Sequence, residues 1–213
     1  MAFLKHTIPI VISAIAVTIS IVTYFRSVKP ANITLAVGDS MGVWHDKYGL
    51  NIYLPIIFQN TGAQAGVVRS IGLIIVDPGT KEAIFIKWVG FVKPEERPGG
   101  TWIWDSNATP LAIPAASEVT KMAQFYAAGS LAEWLPKPIE YKLYLLAWTS
   151  ESKPATIKYP VKWIFNESDV SAVKLNLETV RKGGEDSGTW VIGPRYAPDS
   201  KRLSQSEFDE LVR

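Results

Sequence analysis

The sequence contains no cysteine and only two histidines, His6 and His45. Without thiols the chain forms neither a disulfide framework nor a thiolate metal site, and it has no cysteine nucleophile. Two imidazoles nearly exclude a metal site that needs two or three histidine ligands. We therefore expect no metal centre and no cofactor.

A strong charge of one sign is also missing. The 213 residues include 22 Lys and Arg against 20 Asp and Glu, so the formal net charge is only +2. This balance is not typical of a nucleic-acid-binding protein, and we expect no nucleic-acid partner. The chain is nevertheless 47% hydrophobic and 11% aromatic, which excludes an intrinsically disordered protein.

The longest uncharged run lies near the N terminus, at residues 7–25, after a short tail of residues 1–6. As a helix, these nineteen residues would span about 28 Å, close to the thickness of the bilayer hydrocarbon. Arg26 follows an aromatic pair, as is common at a membrane interface. The run predicts a transmembrane anchor in the lipid bilayer. A cleaved signal peptide, with the Ala14–Ala16 cleavage pattern, and a buried core helix remain alternatives.

The orientation of this anchor follows from chain architecture rather than from charge. Lys5 precedes the run while Arg26 and Lys29 follow it, so the positive-inside count is close to a tie. A short tail before the helix and a large domain after it favour a signal anchor. We expect a single-pass membrane protein with a cytoplasmic N terminus and a periplasmic or extracellular domain.

The following domain, residues 26–166, has the pattern of an all-β fold. Its apolar segments are five to ten residues long, rich in Val, Ile, Tyr, Phe and Trp, and separated by turn residues. Apolar residues occur on both faces of the predicted strands, which indicates cover on both sides. We predict an immunoglobulin-like antiparallel β-sandwich. The candidate strands are 32–37, 50–59, 67–76, 83–92, 118–126, 140–149 and 157–165.

Residues 167–213 are predicted to form a C-terminal extension with one or two short helices. The segment 168–180 fits both a helical stripe and an alternating strand, and Ser168 and Asp169 as capping residues favour the helix. Ser204 and Glu207 have the spacing of a capping box, which predicts a short helix at the C terminus.

The motif Gly38-Asp39-Ser40-Met41-Gly42 matches the G-x-S-x-G pattern of serine hydrolases. Its serine needs a histidine as general base, oriented by a carboxylate. No histidine follows His45, which is only five residues from Ser40. A glycine-bounded turn between two strands explains the same residues. We therefore expect a turn and no enzymatic activity, and we assign no catalytic residue; a hydrolase using Ser40 is a remote alternative.

Three tryptophans are candidates for a binding surface. Trp102 and Trp104 lie on one face of an extended segment, and Trp134, beside two prolines, would extend that surface. Exposed indoles anchor protein contacts and stack on sugars. The plainer interpretation is that the eight tryptophans of the chain mostly fill its core. The predicted function is a non-enzymatic protein that binds a protein partner or supports a membrane complex. The alternative is a carbohydrate-binding module.

Overall fold

The computed structural model describes residues 2–94, 102–150, 155–183 and 201–212. Three α-helices, twelve strands and one 3-10 turn, Gly129–Leu131, lie within these residues. The helices are α1 (Ala2–Ser27), α2 (Glu167–Arg181) and α3 (Gln205–Val212). The strands are β1 (Ile33–Val37), β2 (Gly42–Asp46), β3 (Gly49–Asn60), β4 (Gly66–Val68), β5 (Ser70–Val76), β6 (Ala83–Pro94), β7 (Trp102–Asn107), β8 (Leu111–Ile113), β9 (Ser117–Ala127), β10 (Glu140–Trp148), β11 (Ile157–Ile164) and β12 (Lys201–Leu203).

Ten of the strands belong to one antiparallel sheet. Its main path runs β1-β3-β9-β6-β5-β10-β11, while β2 attaches to β3, and β7 and β12 attach to β6. The remaining strands, β4 and β8, form a separate two-stranded sheet. The long strands β3, β6 and β9 therefore form the middle of the large sheet.

The core follows from the two-residue period of the strands. Every second residue of β3 from Leu50 to Phe58 is buried and points into one large apolar cluster. The opposite face is apolar where β5, β6 and β10 meet, and α3 covers it there with Phe208 and Leu211. One sheet is thus buried on both faces in part of its area without a second large sheet.

The sheet curls until its two end strands lie side by side. β1 and β11 are neighbours in space, and six antiparallel pairings separate them along the sheet. An even number of reversals means that β1 and β11 run in the same direction. The pairing of β6 shifts register between Trp88 and Gly90 and again between Phe91 and Val92. Such irregularities increase strand twist and help a sheet to close on itself.

The predicted immunoglobulin-like β-sandwich is wrong, although the expectation of a mostly β protein is correct. Six of the seven predicted strands coincide closely with observed ones, and the seventh, 67–76, covers β4 and β5. All except β4 belong to one nearly closed sheet instead of two packed sheets. Each strand of the main path pairs with the next one, so hydrogen bonding continues without a break from β1 to β11. The shorter strands β2, β7 and β12 pair with β3 or β6 beside this path. The apolar second face is explained by the curl of this sheet and by α3.

The predicted transmembrane anchor is also wrong. In the part of the chain that the structure describes, no helix combines the length and the apolar character needed to cross a bilayer. The predicted single-pass, extracytoplasmic placement depended on that span and is wrong as well, whereas the bilayer as a partner of residues 7–25 stays a prediction.

The ambiguous segment at 168–180 is helical. α2 begins with a capping box in which Asn166 accepts from the backbone of Asp169 and the Asp169 carboxylate accepts from the backbone of Asn166. Val173 and Leu177 are buried, as expected for one face of a helix that packs on a sheet.

Candidate functional site

The Gly38–Gly42 motif is a bulge in an edge of the sheet. β1 and β2 lie end to end along the same side of β3, and the motif separates them. The Gly38 N–H donates to the Pro55 carbonyl at 2.9 Å, and Gly42 pairs with Tyr53. Five residues therefore face three; Asp39 and Ser40 are exposed on the bulge, whereas Met41 packs against the core. The motif connects strand to strand and lacks the strand-to-helix geometry of a hydrolase nucleophile.

A cleft opens beside this bulge. β11 lies next to β1, and α2, which follows β11 in the chain, packs against β2. Where these elements meet, the described residues leave a cleft, which we call the seam cleft. Its volume of about 760 Å³ is within the range of ligand-binding sites. Its lining is apolar with a few polar groups: Val37, Gly38, Asp39, Ser40, Met41, Val43, Val161, Lys162, Trp163, Ile164, Phe165, Asp169, Ala172 and Val173.

The β11 wall of the cleft presents backbone groups that have no partner among the described residues. The Phe165 N–H donates to the Ile139 carbonyl at 3.2 Å, so odd-numbered residues of β11 direct their backbone groups towards β10. Even-numbered residues direct theirs the other way, towards β1. Pro160, which has no N–H, falls in this outward set, as expected for an edge strand. Lys162 and Ile164 therefore direct their backbone groups to the cleft.

The β1 wall has the same property. Gly38 donates to a β3 carbonyl and Asn32 accepts from Thr61, so even-numbered residues of β1 face β3. The backbone groups of Leu35 and Val37 consequently point towards β11. Among the described strands, no ladder joins β1 to β11. Two parallel edges thus face each other with their hydrogen-bonding groups unpaired within the sheet.

The charges around the cleft are partly neutralised. The Lys162 ammonium lies 3.2 Å from the Glu140 carboxylate, and the Asp169 carboxylate accepts the Asn166 N–H at 3.1 Å. The side chain of Asp39 is exposed on the bulge, and no salt bridge to it is present among the residues that the structure describes. The net charge that the cleft offers to a ligand is therefore negative.

The structure separates His45 from Ser40. Ser40 is exposed in the cleft, whereas His45 is fully buried on β2 and is not among the cleft-lining residues. The His45 Nε2 lies 3.0 Å from the Trp134 carbonyl oxygen, which accepts a hydrogen bond from the ring, and the His45 N–H donates to Asn176 on α2. The imidazole is thus engaged in the packing of α2 and is not available to Ser40 as a general base.

His45 makes the stability of the domain depend on pH. Burial lowers the pKa of its imidazole below 6.5, an effect that the hydrogen bond to Trp134 opposes; the charge of Arg181 lowers the pKa further, while Asp46 and Glu133 raise it. The unfolded chain therefore binds a proton more readily than the folded one, and protonation favours unfolding. We expect the free energy of unfolding to be highest above pH 6.5 and to decrease as the pH falls through that value.

Urea unfolding between pH 5 and pH 7.5 measures this dependence. His45→Gln should flatten it, whereas His6→Gln, which replaces the other histidine, should leave it unchanged. Equal slopes for the wild type and His45→Gln would show that another group is responsible.

Two of the predicted binding tryptophans lie on β7. Trp102 and Trp104 are half-buried, and they share one face of this strand. A Cβ atom on Gly90 would lie 2.5 Å from the Trp104 ring, so the indole covers the bulge of β6 at this glycine. The Trp104 Nε1–H donates to Asn107 at 2.9 Å. The Trp104 indole therefore contributes to the packing of β7 on β6. The binding role of Trp102 and Trp104 stays a prediction.

The third tryptophan is elsewhere. Trp134 packs against the core, with its ring centroid 5.9 Å from that of Tyr141 and 6.5 Å from that of Phe165. Tyr141 lies level with the Ala83 end of β6, whereas β7 pairs with the other end of that strand. About 36 Å of extended chain separates the two ends. The structure does not bring Trp134 to the surface formed by the other two tryptophans.

The β11 wall of the cleft and the contribution of α2 were not predicted from the sequence. One usable signal was present, because Pro160 and the flanking Lys158 and Lys162 are the residues by which proteins protect an edge strand. For the described residues, no group of three or more acidic or histidine side chains is placed to hold a metal ion.

Comparison with protein-family models and with curated proteins gives no match. Among solved structures, the chain is similar to Spo0M, a sporulation control protein from Bacillus subtilis, with a TM-score of 0.34 and 11% identity. The alignment covers 72% of this chain and 56% of Spo0M, so the chain spans little more than half of that protein. A likeness at this level carries no argument about function.

Proposed function

We propose that this chain is a non-enzymatic binding protein that takes a short segment of a protein partner into the seam cleft. The observation that carries the proposal is the cleft itself, about 760 Å³ in volume and bounded by two strand edges with unpaired backbone groups. Main-chain groups at a sheet edge complement the main chain of a peptide, and an apolar wall complements its side chains.

The chemistry of the lining supports binding over catalysis. Most of the lining side chains are aliphatic or aromatic, and the polar ones are a serine, two aspartates and a lysine. The described residues that line the cleft around Ser40 include no histidine, and the Asp169 carboxylate is occupied in capping α2. An apolar site with a few polar groups is typical of recognition.

The Trp102–Trp104 face is the competing surface. Two half-exposed indoles on one strand face favour contact with a protein or a sugar ring. In that case the β7 face, and not the seam cleft, would hold the ligand. Substitutions in the seam cleft and on the β7 face show which of the two surfaces binds the ligand.

Selection from a random linear-peptide display library tests the proposal. We expect enriched peptides to bind the wild-type protein and to lose at least about tenfold in affinity to Ala172→Trp, because the new indole fills the cleft. Leu175→Trp, an exposed substitution on the same helix outside the lining, is the matched control and should bind normally. Thermal unfolding of both variants verifies that they fold.

The opposite pattern contradicts the cleft as the site. Peptides that bind Ala172→Trp normally but lose affinity to Trp102→Ala would assign binding to β7. Glycan binding that disappears in Trp102→Ala would support the carbohydrate alternative. A library without any enriched peptide would overturn peptide recognition.

A further inference from the structure

We infer that the bound segment adds to the outward edge of β11 as an antiparallel strand, with a basic side chain beside Asp39. This inference rests on the proposed function, because it specifies how the seam cleft holds a peptide. It names the occupant as an extended segment of a partner protein in which apolar and basic residues alternate.

The position of the added strand follows from the backbone of β11. Lys162 and Ile164 direct their N–H and C=O groups to the cleft, and these groups repeat at about 6.7 Å, the spacing of alternate residues in an extended peptide. Pro160 lacks the donor that the same pattern would require one step earlier. Pairing is therefore confined to the C-terminal end of β11, where the cleft is open.

The direction of the added strand follows from the sheet. All pairings along the main path are antiparallel, and they leave β1 and β11 parallel to each other. A segment that runs opposite to β11 continues the alternation of the sheet. Antiparallel pairing is slightly more stable per residue than parallel pairing.

The side chains of the segment are specified by the two sides of the cleft. The inner side is apolar, with Val43 and Val173 among its residues, whereas Lys162 and Ile164 are exposed on the outer side of β11. Because successive side chains of a strand point to opposite faces, every second residue of the segment meets the apolar side.

Charge complementarity favours a basic residue among those residues of the segment that do not meet the apolar side of the cleft. Lys162 is neutralised by Glu140, and Asp169 is engaged at the α2 capping box, so Asp39 is the carboxylate that faces the cleft without an ion-pair partner in the described chain. An exposed ion pair is worth a factor of roughly two to five in affinity.

Capped hexapeptides that alternate valine with lysine, and matched ones with glutamate, test the inference by calorimetric titration of the full chain. Each backbone N–H of the lysine peptide is methylated in turn. We expect losses of about tenfold at two amides that are separated by one residue, the two that donate to the Lys162 and Ile164 carbonyls, and losses of less than threefold at the other amides. The lysine peptide should bind roughly two to five times more tightly than the glutamate peptide, and Asp39→Asn should remove that difference.

The outcomes separate this inference from the function on which it rests. A lysine peptide that binds the cleft with equal sensitivity at every amide, or with none, would overturn strand addition while leaving peptide recognition intact. An unchanged lysine preference in Asp39→Asn would overturn the role of that carboxylate. Failure of these hexapeptides and of the display library together would overturn the proposed function.

Discussion

Asn60→Ala is expected to lower the free energy of unfolding by about 2–4 kcal/mol, because it leaves several buried polar groups without partners. The Asn60 side chain is buried, and its Oδ1 accepts from the N–H groups of Asn32 at 3.0 Å and Gly62 at 2.9 Å. Its Nδ2 donates to the carbonyls of Gln64 at 2.8 Å and Pro114 at 3.0 Å. One amide thus connects the start of β1, the turn after β3 and the turn before β9.

Two variants serve as controls for this prediction in urea titrations. Thr61→Ala removes an exposed neighbour in the same turn, so its cost should remain below about 1 kcal/mol. Asn60→Asp keeps the acceptor but buries a second carboxylate oxygen against the Gln64 and Pro114 carbonyls, so it should cost at least as much as Asn60→Ala. A loss of less than about 0.5 kcal/mol for Asn60→Ala would contradict the assigned hydrogen-bond network.

Trp134→Ala is expected to cost about 2–4 kcal/mol of unfolding free energy. The substitution removes an indole that packs on two core rings, those of Tyr141 and Phe165, and leaves a cavity between them. Trp102→Ala, on the half-exposed face of β7, should cost about 1 kcal/mol or less. Urea unfolding of the two variants measures the difference.

Both tryptophans are half-buried, so equal costs for Trp134→Ala and Trp102→Ala would contradict the assigned packing of Trp134 on the rings of Tyr141 and Phe165. The same pair of variants bears on the binding surface that the sequence predicted. If only Trp134→Ala lowers the free energy of unfolding, Trp134 acts in packing, and Trp102 and Trp104 remain the candidates for the predicted binding surface.

The individual strands were predictable because their signals are local. Alternation and β-branched residues located segments such as β3 and β10, and Gly or Pro marked their turns. Which strands pair is not local, since β3 contacts β9 more than fifty residues later. The sequence pattern of a strand buried on both faces is the same whether a second sheet or a helix covers it. The sequence therefore fitted both a β-sandwich and a single curled sheet covered by a helix, and the β-sandwich was the wrong one of the two.

The candidate site was predictable only in part. Gly38–Gly42 was singled out as a motif, and the structure assigns these residues to one wall of a cleft. The other wall, around Lys162, lies more than one hundred residues further along the chain. Trp134 was grouped with Trp102 on the strength of its type and its neighbouring prolines, but its packing depends on Tyr141 and Phe165. Burial of this kind is decided by tertiary contacts.

The turn at Asn60 illustrates the same limit. Asn60-Thr61-Gly62 is readily interpreted as a turn from sequence. Its buried amide, however, binds chain segments about thirty residues before it and fifty residues after it. Local chemistry indicates where the strand ends, while the stabilising role of Asn60 depends on the position of β1 and β9.

Backbone hydrogen exchange with and without the valine–lysine hexapeptide tests the central claim most directly, namely that the edge of β11 receives a peptide. Lys162 and Ile164 have outward N–H groups, whereas Val161 and Trp163 already donate to β10. We expect the peptide to slow exchange at Lys162 and Ile164 and to leave exchange at Val161 and Trp163 unchanged. Binding with no protection at Lys162 and Ile164, or with protection confined to Trp102–Asn107, would contradict it.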